Sequence, residues 1–245
     1  MLNFGLCELR LVDPSCDPMG EEAVRIACGA TPLLEACKTY ATVREAVEDC
    51  GVVFATTARP RDIALPVFSA RVAAQRAAAS CASGSRAALL FGCEKNGLAH
   101  AELRHANAIV TIPTDPLFYS LNLAQAVLLL AYECQLSREA IEEEAAAEEG
   151  GETAFAGGEE EDGGGQEAAA AGQLASLFDF WEDALWRSRF FGLGGADAVQ
   201  EKLRAGAAMD KLRALLQRSA PSAAEARLLR GAMQALVEPK APRAK

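Results

Sequence analysis

Ala87-Ala88-Leu89-Leu90-Phe91-Gly92-Cys93-Glu94-Lys95-Asn96-Gly97-Leu98 and Ala108-Ile109-Val110-Thr111-Ile112-Pro113-Thr114-Asp115-Pro116-Leu117-Phe118-Tyr119-Ser120-Leu121-Asn122-Leu123-Ala124 share one form. In each, an apolar run of strand length ends in a loop punctuated by Gly or Pro. Residues 87–90 read as a buried strand closed by a glycine turn, and residues 108–112 as a second strand. From Gln125 to Tyr132 the sequence is unbroken helix former, and Ser120 stands where an N-cap is expected.

The same alternation extends toward the N-terminus. Residues 8–12 alternate and stop at Asp13-Pro14, and residues 51–57 form a β-rich run that breaks into Ala58-Arg59-Pro60-Arg61. Helical patterns fill the intervals: 21–28, closed by Gly29; 42–50, with Thr42 capping and Glu45 three residues on; and the alanine-rich 66–81, opened by Pro66. Strands separated by helices predict an α/β fold, a mostly parallel sheet with helices on both faces. Ligands bind outside the carboxyl ends of such strands, so the loops after Thr56, Gly92 and Ile112 should converge. The chain contains no G-x-G-x-x-G and no G-x-x-x-x-G-K-[ST], so neither a conventional dinucleotide fold nor a phosphate-binding NTPase loop is indicated.

The pair of loops, F-G-x-E-x-x-G-L followed by I-P and S-L-N-L-A, resembles the second and third motifs of the SpoU (TrmH-like) branch of the SPOUT methyltransferases. Gly5 with Leu11-Val12-Asp13-Pro14, Ala27-Cys28-Gly29-Ala30 and Thr56-Thr57-Ala58-Arg59 look like landmarks of its TrmJ-like, tRNA-methylating members. The resemblance implies a trefoil-knotted domain over residues 1–137 and S-adenosylmethionine as cofactor. It implies a ribose 2′-O-methyltransferase acting on cytidine or uridine in the anticodon loop of tRNA. Cofactor contacts would come from Thr56, Thr57, Ala58, Gly92, Gly97, Leu98, Ile112, Ser120, Leu121 and Asn122. Ser120, Asn122 and Glu94 would serve the reaction, Glu94 mainly by bracing the loops. Such domains pair through their knot helices, so a homodimer is expected, with Leu123, Val127, Leu128 and Leu130 on the helix concerned.

Two departures bear on activity. Relatives carry an earlier strand with N-x-G-x-x-x-R, and this chain starts where the second strand should begin, so the first strand and first motif are missing from the expected fold. Tyr119 directly precedes Ser120, where relatives have Tyr-Ser-Ser-Leu-Asn, so Phe118 takes the tyrosine's place. The alternative expectation is therefore a catalytically silent protein that binds RNA or cofactor.

A chain of 245 residues, 51% hydrophobic, can bury one good core and a smaller appendage. No apolar run reaches membrane length and no leader is recognisable, so a cytoplasmic, reducing setting is expected, with an organelle open if an upstream targeting segment exists. The 8 cysteines include no C-x-x-C pair and stand beside only 2 histidines, which predicts buried free thiols and no metal. The net charge of -10 is unevenly spread. Residues 139–186 hold 15 acidic residues and no Lys or Arg, whereas residues 187–245 hold 12 basic against 5 acidic.

Residues 138–173 therefore read as an acidic, low-complexity linker, and residues 238–245 as a disordered tail. Between them, residues 174–237 read as a helical extension with an apolar stripe of Leu174, Leu177, Phe178, Trp181 and Leu185. The stripe recurs in Met209, Leu212, Leu215 and Leu216, and then in Leu229 and Leu236 behind a capping box at Ser222–Glu225. This extension resembles the tRNA-binding one of the TrmJ-like members. RNA contacts are expected from Lys211, Arg213, Arg218, Arg227 and Arg230, and from Arg59 and Arg61 near the site.

Overall fold

The computed structural model describes residues 1–58, 65–150, 169–192, 198–219 and 221–237. After a 3₁₀ turn at Leu2–Phe4 come β1 (Arg10–Val12), α1 (Glu21–Ile26), α2 (Thr31–Glu35), β2 (Lys38–Tyr40), α3 (Val43–Val47) and β3 (Cys50–Thr56). Then follow β4 (Val67–Ser69), α4 (Ala70–Ala82), β5 (Arg86–Leu90), α5 (His100–Leu103), β6 (Ala108–Thr111) and α6 (Leu123–Gly150). The C-terminal part is α7 (Ala171–Arg187), α8 (Ala198–Ser219) and α9 (Ala223–Val237). The four-stranded sheet has the order β4-β6-β3-β5, all parallel, and β1 pairs with β2, also parallel, in a second sheet.

Side-chain alternation along the strands sorts the core into two layers. Val53, Ala55 and Ile109 face one way, onto Val43 and Val47 of α3, Leu103 of α5 and Ala214 of α8. Phe54, Ala108 and Val110 face the other way, onto Ala70, Ala73 and Ala77 of α4 and Leu130 of α6. Both faces of the central strands are thus dry, as a parallel sheet requires. Asn107 extends the ladder beyond β6, because its Oδ1 accepts from the Val53 amide at 2.7 Å and its own amide donates to the Val53 carbonyl.

The strands read from residues 8–12, 51–57, 87–90 and 108–112 are all present within a residue or two. β2, α2, β4 and α5 were not foreseen. The expected helix over 66–81 begins only at Ala70, because Val67 and Phe68 pair with Ile109 and Val110 of β6, and Ser69 caps α4 by accepting from Val72 N at 3.4 Å. At α6 the cap is Asn122, not Ser120: its Oδ1 accepts from Ala124 N at 2.9 Å. α6 then continues to Gly150, through residues expected to begin an unstructured linker. Alanine and glutamate are strong helix formers, so an acidic, alanine-rich run extends a nucleated helix at little cost. The far end of that expected linker is ordered too, since Ala169 N donates to Pro221 O and Gly172 N to Glu48 O. Residues 151–168 and 238–245 lie outside the described residues.

Ion pairs join the two sheets. Arg10 of β1 binds both Glu8 and Asp49, and Arg86 of β5 also reaches Glu8 and Asp49. Donation from Arg10 pulls the Asp49 carboxyl down to about 2, whereas burial pushes the neighbouring Cys50 thiol up to about 11. The expectation of buried thiols holds for Cys50 alone. Cys37 and Cys134 are half-buried, and Cys7, Cys16, Cys28, Cys81 and Cys93 are exposed.

The C-terminal helices have their own core of Leu174, Leu177, Phe178, Met209, Leu216 and Ala226. From the expected stripes, Leu215 and Leu236 fall outside it and are exposed, because α8 and α9 are each covered on one side only. The capping box forms as read, with Glu225 N donating to Ser222 Oγ and Ser222 N to the Glu225 carboxylate. These helices also dock on the sheet domain through Arg44–Asp179 at 2.7 Å, Arg104–Asp210 at 3.0 Å and the buried Ala214. Burial together with Arg213, Arg44 and Arg104 lowers the pKa of His105 in this seam. Among the described residues no helix is long and apolar enough to cross a membrane.

Candidate active site

β3, β5 and β6 are parallel neighbours, so their carboxyl ends share one edge, and the chain leaves all three there into loops. Two threonines tie the exits together. Thr56 Oγ1 donates to Leu90 O of β5 at 3.0 Å, and the Thr57 amide donates to Val110 O of β6 at 3.2 Å. The loops enclose one open cavity of about 200 Å³, walled by Thr56, Thr57 and Ala58 after β3, by residues 91–97 after β5, and by Val110, Ile112 and residues 119–121 after β6, with Leu123 and Ala126 from α6.

The loop after β5 is a tight turn in which Gly97 N donates to Cys93 O at 2.8 Å. Gly97 sits at φ +67, in the left-handed region that a side chain disfavours. A Cβ at Gly92 would run into the Gly97 carbonyl carbon and the Leu98 nitrogen. Gly92 therefore lets two arms of the same loop touch. Glu94, at the turn's tip, accepts from Asn122 Nδ2 at 2.7 Å. A single side chain, Asn122, thus caps α6 with its oxygen and holds the opposite loop with its nitrogen.

Of the residues singled out in the sequence, Thr56, Thr57, Ala58, Gly92, Glu94, Gly97, Ile112, Ser120 and Leu121 line this cavity. Asn122 stands behind the wall as its brace. Leu98 does not line it: at 3% exposure it belongs to the core layer with Val53 and Leu103, because the chain turns inward after Gly97. Arg59 and Arg61 lie outside the described residues. Phe91, Cys93, Lys95, Asn96 and Tyr119 also form wall and were missed, although their places between motif residues were the available signal.

The C-terminal cations divide. Arg213 is mostly buried, pairs with Glu182 and Asp210 and lies over the Phe178 ring, so it belongs to the seam and not to a binding face. Arg230 donates to Ser176 Oγ at 2.7 Å and covers Phe180, and Arg218 donates to the Ala214 carbonyl. Lys211 and Arg227 are exposed.

Chemically the cavity offers strand-end backbone groups, hydroxyls, a Glu94/Lys95 pair of opposite charge and the positive end of α6. Its volume is below the range of about 300–1,000 Å³ that encloses a drug-sized ligand.

Comparison with known proteins finds relatives in sequence and in fold. The family model described as "SpoU rRNA Methylase family" matches residues 1–132. The tRNA (cytidine/uridine/adenosine-2'-O-)-methyltransferase TrmJ of Pseudomonas aeruginosa is 41% identical over 137 residues, 56% of this chain and 53% of that protein. The tRNA (cytidine/uridine-2'-O-)-methyltransferase TrmJ of Pectobacterium atrosepticum is 35% identical over the same length, 56% of each chain. The chain thus spans about half the length of the curated relatives it matches. Among solved structures, TrmJ from Z. mobilis ZM4 superposes with a TM-score of 0.71 at 31% identity, over 96% of this chain and 89% of that one. A probable methylase family protein from Haemophilus influenzae gives 0.55 at 26% identity, over 97% and 86%.

Proposed function

The chain belongs to the SpoU rRNA methylase family, and from that premise we propose that it transfers a methyl group from S-adenosylmethionine to a ribose 2′-oxygen of tRNA. The observation that carries the reading is the convergence of three strand-end loops, two of them the motif loops, on one cavity. The cofactor would supply an electrophilic sulfonium methyl. The residues of this chain would hold it and orient the hydroxyl.

Strand-end backbone around Thr56–Ala58, Gly92 and Ile112 suits the adenosine. Ser120, in the cavity wall, would meet the ribose hydroxyl, and Glu94 would act through Asn122, tying the two motif loops together. Proximity and alignment are what such a site contributes most, since the donor is intrinsically reactive. Opposite the face that buries Leu130 and Ala131, α6 exposes Leu128, Leu129, Tyr132 and Leu136, and the preceding loop exposes Leu117 and Phe118. Apolar residues open on a helix whose other side is already packed favour a twofold dimer here. Light scattering should give twice the chain mass, and a stable monomer at micromolar concentration would count against that assembly.

The activity is tested with tritiated donor and an unmodified tRNA transcript. Label should enter the RNA and survive in alkali-resistant dinucleotides, because a 2′-O-methyl group blocks backbone hydrolysis. Label released in mononucleotides would mean methylation of a base, and no incorporation would count against the activity.

A further inference from the structure

The end of α7 presents a group of side chains that the cavity does not use. Trp186, Arg187, Ser188, Arg189, Phe190 and Phe191 follow one another, and the helix stops with Ser188 N on Ala184 O, Arg189 N on Trp186 O and Phe190 N on Leu185 O. Arg189 sits at φ +61, a left-handed position that helix ends usually give to glycine. The reversal drives Phe190 outward, to 68% exposure.

Its ring packs on one side only. It stands at 73° to Phe191 with centroids 5.3 Å apart, and Phe191 is itself seated on the helical core and lies edge-on to Trp186 at 5.2 Å. Leu185 and Ser188, within the same turn, line a cleft of about 480 Å³ between the ends of α7 and α9, closed on the other side by Met233 and Leu236. Arg187 is engaged by Asp183 at 2.6 Å. Arg189 has no such ion pair among the described residues.

We propose that this turn is a stacking platform for an unpaired base of the RNA substrate, with Phe190 offering the ring face and Arg189 meeting the adjoining phosphate. The inference rests on the reading of the chain as an enzyme acting on RNA. An exposed aromatic ring packed edge-on against its neighbour, beside a guanidinium with no ion pair among the described residues, is the combination single-stranded nucleic acid uses, stacking for the base and charge for the backbone. An apolar protein partner would gain from the ring and the cleft but nothing from Arg189. Base stacking is insensitive to salt, whereas a phosphate contact releases counterions, so the two residues should leave different signatures.

The test is binding of a labelled, unmodified tRNA transcript to the full chain across a salt series. Phe190→Ala should weaken binding on the order of tenfold with the salt slope unchanged. Phe190→Tyr, which keeps the ring, should bind as the parent does. Arg189→Asn, which tolerates the left-handed backbone, should lower the salt slope by about one. Single-stranded oligouridylate should compete for the site and a blunt RNA duplex should not. Wild-type affinity in Phe190→Ala, equal weakness in Phe190→Tyr, or equal competition by duplex overturns the platform while leaving the RNA reading intact. A wild-type chain that binds no RNA overturns both.

Discussion

Asn122 has two tasks that can be separated. As the cap of α6 it accepts from Ala124 N, and through its amide nitrogen it donates to Glu94. Asn122→Ser keeps a capping oxygen and loses the amide nitrogen that reaches Glu94, whereas Asn122→Ala loses both. The alanine variant should be destabilised by about 1 kcal/mol, the usual worth of such a cap, with the serine variant close to wild type in thermal unfolding. Both should bind S-adenosylhomocysteine more weakly in calorimetry, because the loop after β5 is no longer tied to the loop after β6. Wild-type binding by the serine variant would remove the Glu94 contact from the site. Gly92→Ala is a harsher change: the added methyl meets backbone atoms of Gly97 and Leu98, which cannot rotate away. The turn must open, so ligand binding should be lost, and a crystal structure of that variant should show residues 93–97 displaced.

Among the elements, the joint between the two sheets depends on ion pairs more than on a backbone ladder. Arg10 holds the Asp49 carboxyl at about 2, below its usual 3.8, so protons bind the unfolded chain before the folded one. The contribution is complete above about pH 4 and fades as pH falls toward 2. Asp49 is partly exposed, so solvent moderates the effect. Thermal unfolding of the wild type should drop more steeply between pH 4 and 2 than that of Arg10→Met, and parallel curves would contradict this role. Sequence legibility also divides at this scale. β3 and β6 were readable because strands buried on both faces appear as continuous apolar runs, and β5, partly buried at the sheet edge, is an apolar run as well. β2 was not, since Lys38-Thr39-Tyr40 is short and mostly exposed, and β4 was hidden by Pro66, which reads as a helix start. The two motif loops were legible as separate patterns, but the hydrogen bond across 28 positions that makes them one site depends on how the strands are ordered. Arg213 looked like a surface cation only because its partners, Glu182 and Asp210, come together when α7 and α8 pack.

For the whole molecule, the C-terminal helices do more than append charge. Ala214 of α8 is buried in the same layer as Val43, Val47 and Leu103, and the seam carries ion pairs from Arg44 and Arg104. A chain ending at residue 150 should therefore lose RNA affinity and also melt at a lower temperature with increased binding of an apolar dye. An unchanged melting temperature would show the two parts to be independent. The central claim is that three segments far apart in sequence form one ligand site at the carboxyl edge of the sheet. Hydrogen exchange with and without S-adenosylhomocysteine tests it most directly. The account predicts that the ligand slows exchange together in residues 56–58, 91–98 and 112–123, and leaves α8 and α9 unchanged. Protection confined to one loop, or centred on the C-terminal helices, would contradict it.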